Sequence, residues 1–62
     1  MSPKNFMKVK SMLTTEAEDP NNHILDRIDA YLELSQLNQH SNHDRAMYVS
    51  KARELIEEEL QS

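Results

Sequence analysis

Cysteine and glycine are both absent from this 62-residue chain, tryptophan is absent too, and proline occurs only at Pro3 and Pro20. Without cysteine there is no disulfide, no thiolate for a closed structural zinc site and no thiol nucleophile. Without glycine there is no phosphate-cradling loop of the kind that opens nucleotide-binding helices. No apolar run approaches the ~18 residues a membrane span needs. Lys8 and Lys10 interrupt the segment from Phe6 to Leu13, so it does not read as a secretory signal. These absences predict a cytoplasmic protein with no membrane partner. Three aromatic residues, Phe6, Tyr31 and Tyr48, are too few and too scattered for a base-stacking platform.

The same gaps argue against catalysis. No combination of Ser, His and acid can be gathered into a sheltered cleft by two or three short helices, so neither an active site nor a cofactor is expected. A chain of this length is one small domain that buries only about 60% of its unfolded surface. Oligomerisation or a protein partner is the remaining way to complete its core.

Charge is divided along the chain. Lys4, Lys8 and Lys10 give residues 1–13 a formal +3. Residues 14–62 carry all eleven acids against Arg27, Arg45, Lys51 and Arg53, a formal −7. An acidic body is repelled by phosphate, which makes nucleic acid an unfavourable partner and a protein surface a favourable one.

The spacing of apolar residues predicts an all-α fold, an antiparallel helical hairpin preceded by a short N-terminal helix. Residues 1–13 form a basic amphipathic arm or short helix with Ser2 and Pro3 at its start and Phe6, Val9 and Leu13 on one side. Residues 14–19 read as a polar linker. Asp19 and Pro20 resemble an N-cap followed by proline in the first turn, which starts a helix over 20–38. A polar turn at 39–42 follows, with Ser41 as N-cap, and a last helix covers 42–60.

At 100° per residue the first long helix carries two apolar stripes. Ile24, Leu25, Ile28, Tyr31 and Leu32 form one, and Ala30, Leu34 and Leu37 form the other. On the last helix Ala46, Val49, Ile56 and Leu60 share a side, which Tyr48, Ala52 and Leu55 widen to about half the circumference. One neighbour cannot cover both stripes, so either the N-terminal helix or a second copy of the chain does so. The expectation is a homodimer, with Ala30, Leu34, Leu37, Tyr48 and Leu55 at the self-association surface.

Two charged groups are further candidates. Glu54, Glu57 and Glu58 form an acidic face, unfavourably placed toward a helix C-terminus, that would suit a basic protein partner. Its plainer explanation is a solvated helix face. Lys4, Lys8 and Lys10 are the alternative, a nucleic-acid contact on an acidic dimerisation scaffold; three spread charges more often only keep a segment soluble. His40, His43 and Asp44 carry metal-ligating atoms, yet their position at a turn is explained by capping, and no metal is expected. The sequence thus predicts a small non-enzymatic regulatory or adaptor protein, of the kind phages and plasmids use to modulate a larger partner, acting through helix-mediated contacts.

Overall fold

The computed structural model describes residues 2–37 and 40–62, and within them the chain is three α-helices with no strand. They are α1 (Pro3–Glu18), α2 (Ile24–Ser35) and α3 (Asn42–Gln61). The all-helical expectation holds, and α3 lies where the sequence places it. The boundaries between α1 and α2 need correction.

α1 runs five residues past the expected arm. Ser2 caps it, accepting the Asn5 N–H at 3.2 Å, and Pro3 occupies the first turn. Residues 14–18, read as a linker, are helical. The Thr15 hydroxyl donates back to the Ser11 carbonyl at 2.9 Å, and Ala17 is fully buried in the last turn. Pro20 stops this helix instead of starting the next. The residue before a proline is driven out of the α region, and Asp19 is extended at φ −75°, ψ 111°.

α2 therefore starts at Ile24, four residues later than expected. Asp19 folds the chain into a turn, its carboxylate accepting the Asn21 N–H at 2.9 Å and its carbonyl the Asn22 N–H at 3.1 Å. Asn22 joins the two helices, donating through Nδ2 to the Glu16 carbonyl at 3.1 Å and accepting the His23 N–H at 3.0 Å. His23 is the N-cap, its Nδ1 accepting the Leu25 N–H at 3.1 Å. The helix ends at Ser35, and the expected end at Asn38 falls, with Gln39 of the turn, outside the described residues. Ser41 caps α3 by accepting the Asp44 N–H at 3.1 Å.

α2 packs against both α1 and α3, which do not pack against each other. The body measures 40 × 23 × 11 Å. A helix backbone is about 4.6 Å across and helices pack 8–10 Å apart, so these dimensions describe three helices side by side in one slightly puckered layer. The core comprises Ala17, Ile28, Ala30, Tyr31, Leu34, Tyr48, Ala52 and Leu55, with Leu13, Ile24 and Leu37 packed against it. Leu34 is its only large side chain that is fully buried.

Candidate docking surface

The residues expected at a self-association surface lie inside the single chain. Ala30, Leu34, Tyr48 and Leu55 are core, and Leu37 is half-buried against it. α1 lies along one flank of α2, and Tyr48 and Leu55 of α3 are buried against its other flank. Arg27 fastens α1 to α2, its Nε donating to the Ala17 carbonyl at 2.8 Å and placing a cation on the C-terminal end of α1.

The first stripe is not covered completely. Leu25 is 62% exposed, Leu32 39%, Ile56 39% and Leu60 81%. Each of the first three directly follows a residue that faces the α2–α3 seam: Leu25 follows Ile24, Leu32 follows Tyr31, and Ile56 follows Leu55. Val49, half-buried, follows Tyr48 in the same way. In an antiparallel pair, one step forward along either helix turns toward the same side of the pair. These residues therefore share one side of the layer, called here the outer face, and Leu60, four residues after Ile56, continues the stripe.

The acidic border of this face comes from the α1–α2 seam. There Glu16, Asn22, Asp26 and Asp29 line an open cleft of about 330 Å³. Glu16 and Asp29 directly precede core residues Ala17 and Ala30, and a backward step from the α1-facing line of α2 turns toward the same outer face. The outer face is thus an apolar strip along α2 and α3 with carboxylates on its α1 side. Sequence patterning identified the members of the stripe. It missed the acidic border because Glu16 was assigned to a linker.

The opposite side is closed differently. His40 is buried, its Nδ1 2.8 Å from the Leu34 carbonyl. Its ring meets Phe6 edge-on at 5.2 Å and Tyr48 at 5.1 Å, so one imidazole ties the start of α1 to α3. Nδ1 donates to that carbonyl, and Nε2 meets no hydrogen-bond partner among the described residues. The Tyr48 phenol is held above its ordinary value, chiefly by burial and further by the charges of Asp44 and Glu18 and by Tyr31. Lys51 lies over the Tyr31 ring with Nζ 5.9 Å from its centre, covering the seam on this side.

The charged candidates lie on two helices. Glu54, Glu57 and Glu58 are exposed on the second half of α3, where every residue from Ile56 onward is exposed. Lys4 and Lys8 are exposed on α1, whereas Lys10 is half-buried with Nζ 6.0 Å from the centre of the Phe6 ring. The three lysines do not form one patch. Among the described residues no group of three His, Asp or Glu side chains is placed to hold a metal ion, and no helix is long and apolar enough to cross a membrane. Comparison with protein families, curated proteins and solved structures finds no match to this chain.

Proposed function

We propose that this chain is a small non-enzymatic adaptor or regulatory protein that works by docking the outer face of α2 and α3 against another protein chain, and that its core is completed by self-association. The observation that carries this reading is the exposed apolar strip of Leu25, Leu32, Ile56 and Leu60 on a body only one helix layer thick. Stable domains bury the apolar side of each element against a second layer. Contiguous exposed apolar surface with a polar rim is the ordinary signature of an interaction site.

Crosslinking in cells that express the protein tests the docking reading. The wild-type chain is expected to trap partner chains that Leu25→Glu and Leu32→Glu lose, while Met7→Glu, at an exposed position of α1 outside the strip, keeps them. Identical crosslinks from all three variants would refute it. Binding through Lys4 and Lys8 to nucleic acid is a different reading with a different signature, since phosphate contacts weaken steeply as salt rises. Titration with a DNA duplex at two salt concentrations is expected to show no such dependence.

A further inference from the structure

We infer that the outer face is occupied by a second copy of this chain in a twofold arrangement, with Arg53 of each copy entering the acidic cleft of the other. The inference rests on the docking reading above and names its partner.

The Lys51 Nζ lies over the Tyr31 ring, so the ends of these two side chains share one height along the antiparallel α2–α3 pair. Asp29 is two residues before Tyr31 and Arg53 two residues after Lys51, so both are displaced by about 3 Å in the same direction along the pair. Asp29 and Arg53 thus stand at the same height. They flank the apolar strip on its two sides: Asp29 borders it on α2, beside the cleft, and Arg53 borders it on α3.

Now place a second layer against the outer face, related by a twofold axis running along the seam. Heights are preserved and left and right exchange, so α3 of one copy lies over α2 of the other. Leu32 then meets Val49 of the second copy, Leu25 meets Ile56, and apolar faces apolar throughout the strip. Arg53 of the second copy arrives over Asp29, where Glu16 and Asp26 line the same cleft. Because the axis is twofold, the contact is made twice. The exchange matches cation to carboxylate at a site that holds only carboxylates and an amide.

The area is also sufficient. The axis along the α2–α3 seam stacks these two of the three helices, about two thirds of the 40 × 23 Å face, so roughly 600 Å² is covered on each side, the lower end of the range for specific interfaces. Two stacked layers would also supply the second layer that the single chain lacks.

Sedimentation equilibrium on the full chain, with charge reversal, tests the arrangement. Asp29 and Arg53 are both exposed, so their variants are expected to keep the far-UV spectrum of the wild type. The wild type is expected to sediment as a dimer. Arg53→Glu, which sets an acid against the partner's acidic cleft, is expected to raise the dissociation constant about tenfold or more. Combining it with Asp29→Arg in one chain is expected to restore most of the loss, because each altered residue then meets the other's complement. A folded wild-type monomer at high concentration would overturn the inference, as would a dimer indifferent to Arg53→Glu. If such a monomer still traps a different protein through Leu32, the docking reading survives and only the second copy is rejected. If Leu32→Glu alters neither association nor trapping, both are rejected.

Discussion

Tyr31 and Leu32 are neighbours on the same helix, and the difference between them separates the two sides of the molecule. Tyr31 is 7% exposed, within the core that α2 shares with α3, and Leu32, one step around the helix, is 39% exposed. On the Tyr31 side, gaps are closed within the chain by Lys51, His40 and Phe6. The other side offers apolar surface of the same chemical kind, left partly exposed at Leu25, Leu32, Ile56 and Leu60. Composition alone therefore does not distinguish a core residue from an exposed apolar one here. What distinguishes them is which side chains reach that side of the layer: Lys51, His40 and Phe6 meet on the Tyr31 side.

This contrast is broken most severely by emptying the closed side. Leu34→Ala is expected to destabilise by roughly 2 to 5 kcal/mol, the range for truncating a fully buried leucine, and Tyr31→Ala and Ile28→Ala by similar amounts. Chemical denaturation under conditions where the chain is monomeric checks this. In the same conditions Leu25→Ala is expected to cost less than about 1 kcal/mol, since little of its area is removed from water on folding. Equal losses on both sides would erase the distinction.

His40→Ala is expected to cost about 1 to 3 kcal/mol, from two ring contacts and one hydrogen bond to a buried carbonyl. Loss of helical signal on heating should begin with α1, whose first turns His40 holds through Phe6. Ser41→Ala, which removes the N-cap of α3, is expected to cost about 1 kcal/mol, while Ser41→Asp should be nearly neutral.

The smallest effect expected concerns Tyr48. Its folded-state phenol titrates above the unfolded value of 10.0, chiefly because burial disfavours the phenolate. The unfolded chain therefore releases this proton first as pH rises. Stability is fully retained below about pH 10 and falls as pH climbs from there through the folded-state value. Melting curves between pH 9 and 11 should show that decline, and Tyr48→Phe should reduce its slope.

Much of the fold was legible in the residues, for reasons that also explain what was not. The 3.6-residue recurrence of Ile24, Ile28, Tyr31 and of Tyr48, Ala52, Leu55 identified α2 and α3, and Ser41 announced the start of α3 because its cap is a local hydrogen bond. Pro20 was misread because proline is compatible both with the first turn of a helix and with a helix stop. The choice was made by Asp19 and Asn22, whose side chains stabilise a turn between the two helices. Thr14, Thr15 and Glu16 look like a linker by composition, and they are helical because Ala17 has a buried site waiting on α2. That burial depends on tertiary packing, which local propensity does not encode. The same misreading hid the acidic border of the outer face, since Glu16 reaches it only as part of a continuous α1.

One side of this layer is closed by the chain itself, and the proposal is that a second chain closes the other. Thermal unfolding followed across a hundredfold range of protein concentration tests it most directly, because a partner that binds only the folded state makes the melting temperature depend on concentration. The melting temperature is expected to rise with concentration for the wild type and to stay flat for Leu32→Glu. A wild-type melting temperature unaffected by dilution, with the chain folded throughout, would contradict it.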